Sequence, residues 1–253
     1  MNLMDELSAG GIYVTHALKG YEYHEKRVTE LFKKNQLNFE FVTDGDPIYF
    51  NHKVLSKYFI PEIKTVLRTG TLSCTLNHIL TYEKIVASKK KYALVFEDDP
   101  FFLGDFVEGL KKMSDEVLSL EKGFIISLEN SSLRFPSYWQ TSRGKYVYPA
   151  SKGRMAGAYL IDLAGATRIL EDIKQNKCHT IIDWWHNSLT ERGVIKMYWA
   201  QPPLVEQGSH NGQMSSTNST QPSVLSRRIG WWFQKTYKYY VRRLFKEKRI
   251  LVG

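Results

Sequence analysis

Residues Tyr92 to Asp99 read YALVFEDD, an apolar run that stops at three consecutive carboxylates. Lys89, Lys90 and Lys91 precede it and Pro100 follows. A run this short, and this rich in Val, Phe and Tyr, predicts a strand buried on both faces. Ligands of open α/β sheets sit at the carboxyl ends of strands, which is where Glu97, Asp98 and Asp99 stand. Three adjacent carboxylates repel one another, and a divalent cation removes that repulsion. An all-oxygen ligand set suits Mg²⁺ or Mn²⁺, with positions left over for phosphate oxygens. A second reading needs no metal: acidic residues ahead of the amphipathic stretch Phe106 to Leu120 would favour a helix N-terminus.

Outward from this strand, hydrophobic periods of two and of 3.6 alternate. Strands are predicted at Ile12 to Ala17, Leu37 to Val42, Gly123 to Leu128, Ala158 to Ile161 and Val194 to Trp199. Helices are predicted at Glu22 to Asn35 with Val28, Leu31 and Phe32 inward, at Thr71 to Ser88, at Ala164 to Ile173 and at Asp183 to Arg192. Asp44-Gly45-Asp46-Pro47 reads as a turn, and Gln207 to Ser226 as a mobile loop or linker. This order predicts an α/β sandwich with a mostly parallel central sheet.

The 253 residues suffice for a sizeable core, and 43% hydrophobic with 24% charged residues is ordinary for a soluble globular protein. Met1 to Gly10 carries Asp5 and Glu6 without a basic flank and apolar core, so no secretory signal is read there. No stretch approaches the length of a bilayer span. Cys74 and Cys178 lie far apart, without the C-x-x-C spacing of a zinc site or a disulfide framework. An intracellular, cytoplasmic protein is the expectation.

The net charge of +9 is concentrated. After Pro222 stand Arg227, Arg228, Lys235, Lys238, Arg242, Arg243, Lys246, Lys248 and Arg249 against a single acid, Glu247, so the tail holds +8 and all that precedes it +1. Two units are therefore expected, residues 1–222 and a tail of 223–253. On a helical projection Ile229, Phe233, Tyr237, Tyr240, Leu244 and Leu251 follow one side, and Lys235, Lys238, Arg242, Lys246 and Arg249 the other. With Trp231 and Trp232 at its start, this helix has the composition of one that lies on an anionic membrane. The alternative is a helix docked on the protein's own core with a solvated basic face. Nucleic acid is not expected as a partner, because the acidic strand end repels phosphates.

Several separated motifs resemble glycosyltransferase family 25, which includes bacterial lipooligosaccharide galactosyltransferases and the collagen galactosyltransferases. They are Gly70 to His78 (GTLSCTLNH), Tyr92 to Asp99, Gly157 to Ile161 (GAYLI) with Gly165 and Ala166, Ile182-Asp183, and Pro203 to Gln207 (PLVEQ) with Ser209. The resemblance runs in the family's order from about Ile12 to Ser216. It departs at Thr71-Leu-Ser-Cys74, where the family usually shows Glu-Ile-Gly-Cys, and at Asn77-His78, where it usually shows Ser-His. The resemblance implies a GT-A-like fold, a nucleotide-sugar donor and usually Mn²⁺.

Residue roles follow from the chemistry and the resemblance together. Glu97, Asp98 and Asp99, with Asn77 and His78, are expected at the donor, and Glu97, Asp99 and His210 at the metal that neutralises a departing diphosphate. Inverting transfer needs a carboxylate to take the acceptor's proton, and Asp183 matches the family's acidic position. Trp184 and Trp185 beside it offer faces for a sugar. Asp183 could instead cap the helix that follows, and Glu129 is the rival base. The expected function is transfer of a hexose, galactose from UDP-galactose, to a lipid-linked lipooligosaccharide at the inner membrane. A metal-dependent nucleotidyltransferase or phosphohydrolase, which would lack a phosphate-cradling Gly-rich loop here, and an inactive membrane-bound scaffold are the alternatives.

Overall fold

A computed structural model describes residues 3–211, 213–214 and 224–244, with side chains from 228 onward in the last segment. Nine strands are β1 (Ile12–Thr15), β2 (Glu40–Val42), β3 (Tyr92–Glu97), β4 (Pro100–Phe102), β5 (Phe124–Ser127), β6 (Val147–Ala150), β7 (Ala158–Asp162), β8 (Lys196–Ala200) and β9 (Val205–Gln207). The helices are α1 (Leu3–Ser8), α2 (Glu22–Lys34), α3 (His52–Tyr58), α4 (Ile63–Val66), α5 (Thr69–Ala87), α6 (Phe106–Ser119), α7 (Leu163–Asn176), α8 (Ile182–Glu191), α9 (Gly208–Asn211) and α10 (Val224–Thr236). Seven strands form one sheet in the order β2-β1-β3-β7-β5-β8-β6, and β4 pairs with β9 in a small second ladder. The pairings β1 with β2, β1 with β3 and β5 with β8 are parallel, while β7 and β6 run against their neighbours. Five of the seven strands thus point one way, and the sheet is mixed and mostly parallel.

Strand β3 is buried from Tyr92 through Phe96, as a two-sided apolar run requires. Its alternating side chains feed two cores. Ala93 and Val95 meet the layer carrying Leu76, Ile79 and Tyr82 of α5 with Ile169 of α7 and Trp185 of α8. Leu94 and Phe96 meet Val28 and Phe32 of α2 with Phe106, Leu110 and Met113 of α6. The result is a three-layer sandwich with helices on both faces.

Asp162 joins the two layers. Its carboxylate accepts from the backbone N–H of Gly123 (2.9 Å), Phe124 (2.8 Å) and Gly165 (2.9 Å), tying β7 to β5 and capping α7. Asp162→Ala leaves three buried donors unpaired, and a loss of about 3–4 kcal/mol is expected. Urea unfolding followed by circular dichroism checks this, and an unchanged midpoint contradicts it.

The basic tail is partly docked. After α10 the backbone continues helically through Tyr237–Val241 and Arg242–Leu244. Tyr138 Oη donates to the Tyr239 carbonyl (3.1 Å), Trp139 Nε1 to that of Leu244 (3.2 Å), and Arg243 Nε to that of Pro136 (2.8 Å). The Arg243 guanidinium lies over the rings of Tyr138 and Tyr239. Lys235 pairs with buried Glu206. The docked alternative assigns the cations to solvent, yet Lys235 and Arg243 supply the docking, because Glu206 and the 135–139 loop offer a carboxylate, carbonyls and aromatic faces. The apolar side is turned outward: Ile229, Trp232, Phe233, Tyr237, Tyr240 and Leu244 are 50–62% exposed. The Arg227 side chain, Lys246, Glu247, Lys248, Arg249 and Leu251 lie outside the described residues, as do 212 and 215–223 of the expected linker. Gln207 at its start belongs instead to β9, and Gly208–Asn211 is helical. No helix among the described residues is long and apolar enough to cross a membrane.

Candidate active site

The carboxyl ends of β1 and β3 lie side by side in parallel, with Thr15 opposite Glu97. The helix that follows is capped by Asp105, not by the Glu97–Asp99 cluster, and β4 stands between them. The acidic residues are therefore free of the capping role. Their three side chains take different partners. Asp98 receives His16 Nδ1 at 2.7 Å and His24 Nδ1 at 3.2 Å. Burial pushes its carboxyl up, but these hydrogen bonds outweigh that and hold it below the usual range, while the bond to Asp98 pushes His24 up. Arg27 donates to the carbonyls of Pro100 (2.8 Å) and Asp98 (3.3 Å), fixing the turn out of the strand.

Glu97 turns the opposite way. Its Oε1 lies 3.7 Å from Cys74 Sγ and 3.6 Å from His78 Nε2, and its Oε2 accepts from Gln207 Nε2 at 2.9 Å. Burial and the charges of Asp99 and Asp98 push its carboxyl up to about 8. Gly157 makes the Gln207 contact possible, since a Cβ there would fall 2.1 Å from Gln207 Cδ. Asp99 is buried; its Oδ2 accepts from Ser209 N–H (2.8 Å) and its carbonyl from Gly208 N–H (2.8 Å). Its Oδ1 is enclosed and has no hydrogen-bond partner among the described residues.

Asp183 lies in the first turn of α8, where Ile181 and not Asp183 occupies the N-cap position. The capping alternative therefore falls. Burial and the charge of Glu97 push its carboxyl up to about 7, against a hydrogen bond from the Ala156 backbone. Its Oδ1, like that of Asp99, is enclosed and unpartnered among the described residues. Glu129 is fully buried, and its Oε2 accepts from Ser131 N–H at 3.0 Å. Burial pushes Glu129 well above the carboxylate range, with the charges of Asp183 and Glu97 adding to it. These charges place Glu97, Asp183 and Glu129 in one electrostatic neighbourhood.

A family model described as "Glycosyltransferase family 25 (LPS biosynthesis protein)" matches residues 17–184. The chain belongs to glycosyltransferase family 25. A "Glycosyltransferase 25 family member" of Aedes aegypti is 25% identical over 190 residues, covering 66% of this chain and 30% of that protein. A Haemophilus influenzae protein named for glycosyltransferase activity is 26% identical over 165 residues, covering 62% of this chain and 56% of its own length. The chain thus spans well under two thirds of either relative.

Within this family 25 chain the match covers Asn77, His78, Glu97, Asp98, Asp99, Glu129 and Asp183, and excludes His210 and the tail. Several expected placements change. Asn77, expected at the donor, is buried and committed to backbone: its Oδ1 accepts from Gly45 N–H (2.7 Å) and its Nδ2 donates to the His16 carbonyl (3.1 Å). His78 is wholly buried, with Nδ1 against Tyr159 Oη at 2.9 Å. Trp184 is exposed at 66%, but Trp185 is enclosed in the core and offers no face to a sugar. The structure does not gather Glu97, Asp99 and His210 into one ligand group. Among the described residues the group of three that closes within 4.8 Å is Cys74, His78 and Glu97, and His210 is exposed on α9. Nothing in the sequence marks His16, His24 and Gln207 as site residues, although His16 directly follows β1, the strand that neighbours β3.

Proposed function

We propose that this chain transfers a hexose, galactose from UDP-galactose, to a lipooligosaccharide acceptor, with inversion and with Mn²⁺ or Mg²⁺. One observation carries the reading: Asp99 and Asp183, both near the carboxyl end of β3, each keep an enclosed carboxylate oxygen with no partner among the described residues. A buried, unpartnered carboxylate oxygen is costly unless a ligand completes it. Asp99 Oδ1 fits a hard cation, its other oxygen being already braced by Ser209. A cation held there supplies the positive charge that a departing diphosphate needs. Asp98, fixed by His16 and His24, keeps the adjoining polar wall rigid. Asp183 Oδ1 takes the proton of the acceptor hydroxyl as that oxygen bonds to the anomeric carbon; the bond from this carbon to the phosphate oxygen breaks, and UDP leaves with the electron pair. Glu129 Oε1 is enclosed and unpartnered as well, but Glu129 is wholly buried with its other oxygen committed to Ser131, whereas Asp183 is half-buried, so Asp183 is the base we favour. A GT-A-like donor site at the ends of β1 and β3 is part of the same proposal.

Calorimetry tests the donor half. UDP should bind in the presence of Mn²⁺ and weaken at least tenfold in EDTA. Equal affinity with and without the cation would count against the metal-dependent reading.

The tail supports a peripheral position on an anionic inner-membrane surface. Its docked side leaves an apolar stripe facing outward, flanked by cations. A cavity of about 460 Å³, lined by Leu103, Met113, Phe135, Leu204, Lys235 and Tyr239, lies between this helix and α6, apart from the carboxylates. Phe233→Ser with Leu244→Ser should abolish sedimentation with anionic liposomes without changing net charge, and leave transfer to a soluble acceptor intact. Undiminished sedimentation would assign membrane binding to charge alone.

A further inference from the structure

The geometry points to a second metal site, for a thiophilic transition-metal ion with Zn²⁺ the best fit, built from Cys74, His78 and Glu97. It goes beyond the proposed donor cation, which concerns Asp99 and hard oxygen ligands. Cys74 and His78 stand four residues apart on α5, one turn along the same face, and β3 delivers Glu97 between them. Sγ, Nε2 and the Glu97 carboxylate lie within 4.8 Å of one another, with Glu97 Oε1 at 3.7 Å from the sulfur and 3.6 Å from the nitrogen. Tetrahedral zinc, with bonds of about 2.0–2.3 Å, separates its ligand atoms by about 3.3–3.6 Å, so the two contacts of Glu97 Oε1 already lie close to that spacing, and Sγ and Nε2, within 4.8 Å of each other, complete the set by side-chain adjustment.

Two further observations point to a ligand. His78 Nε2 is enclosed in a fully buried side chain, faces this cluster, and has no hydrogen-bond partner among the described residues. The outer partners that orient metal ligands are also in place. Tyr159 Oη meets His78 Nδ1 at 2.9 Å, which lets that nitrogen carry the proton and leaves Nε2 its lone pair. Tyr159 is itself held by Tyr82 Oη (2.8 Å), and Tyr82 by His186 Nε2 (2.6 Å). Gln207 Nε2 holds the other Glu97 oxygen. A thiolate and an imidazole with one carboxylate select zinc over Mg²⁺ or Mn²⁺. Three protein ligands also leave a fourth position open.

The test uses the full chain, dialysed against Zn²⁺ and then against metal-free buffer, with metal measured by mass spectrometry and the site probed separately with Co²⁺. One zinc per chain is expected, with sulfur-to-cobalt charge-transfer absorption and the strong visible bands of a tetrahedral ion. Cys74→Ser should erase the charge-transfer band and weaken zinc at least 100-fold; Tyr159→Phe should weaken it about 10–100-fold. Asp99→Ala should keep both zinc and spectrum, which separates this site from the donor cation. If Cys74→Ser does not fold, alkylation of the wild-type thiol decides: zinc should protect Cys74. Failure of the wild type to retain zinc or to give the cobalt band, zinc retained unchanged by folded Cys74→Ser, or no protection of Cys74 each overturns the site.

Discussion

Asp183→Asn is expected to lower hexose transfer by about 10³-fold while making the protein more stable above neutral pH. The amide keeps size and polarity but cannot take the acceptor's proton, so donor affinity should stay near that of the wild type. The stability gain follows from the sign of the shift. Burial and Glu97 raise the Asp183 carboxyl from 3.8 to about 7 in the folded chain, so over this interval the folded state binds more protons than the unfolded one. Stability therefore falls as pH rises from about 4 to about 7, and the loss is complete above that window. Asparagine does not ionise and escapes it. Each pKa unit corresponds to about 1.4 kcal/mol, and because Asp183 is only half-buried a gain of roughly 1–3 kcal/mol at pH 8 is expected, vanishing near pH 4. In the wild type, transfer should rise with pH until about 7 and then level, as a base with that pKa requires. Melting curves at pH 5 and pH 8 with pH–rate profiles check all three. Normal turnover in Asp183→Asn together with loss in Glu129→Gln would move the base to Glu129.

Asp99→Ala should cost transfer at least as much, on the order of 10³-fold, because it removes the proposed anchor of the charge facing the diphosphate. Its stability should change little in the other direction. Two oxygens of Asp99 hold the Gly208 and Ser209 amides; the carbonyl bond survives the substitution, and the side-chain bond to Ser209 is lost with the enclosed Oδ1. One hydrogen bond removed against one unpartnered buried oxygen relieved leaves a net change within about 1 kcal/mol. Steady-state transfer in Mn²⁺ alongside urea unfolding separates the two effects. Substantial transfer by folded Asp99→Ala would remove this residue from the donor site.

The strand that carries these carboxylates was legible because burial on both faces writes a continuous apolar run, and because an abrupt stop at Glu97 marks the strand's carboxyl end. The long helix α5 and the amphipathic α6 and α7 were legible from their 3.6-residue period, with ends within three residues of those expected. Short elements left no such trace. β4, β6 and β9 have three or four residues each, and Pro149 within β6 argues against a strand except at an edge, where β6 lies. Membership of a three-residue cluster is a tertiary fact. The Cys74 and His78 spacing could be read as one helical face, but that Glu97 turns toward it, and Asp98 toward His16 and His24, depends on how β3 ends. Likewise Trp184 and Trp185 are alike in sequence, and only the packing of α8 sends one outward and the other into the core. On the tail, periodicity separated an apolar from a cationic side. It could not say that Lys235 and Arg243 would find Glu206 and the Pro136 carbonyl.

The most direct measurement is product analysis. The full chain, with Mn²⁺ and a panel of UDP-hexoses, is incubated with a truncated lipooligosaccharide, and acceptor mass and released UDP are followed together. The acceptor is expected to gain one hexose, with UDP-galactose the preferred donor, UDP released in equal amount, and both stopped by EDTA. Hydrolysis of every donor with no gain in acceptor mass, or transfer undiminished in EDTA, would contradict the proposed reaction.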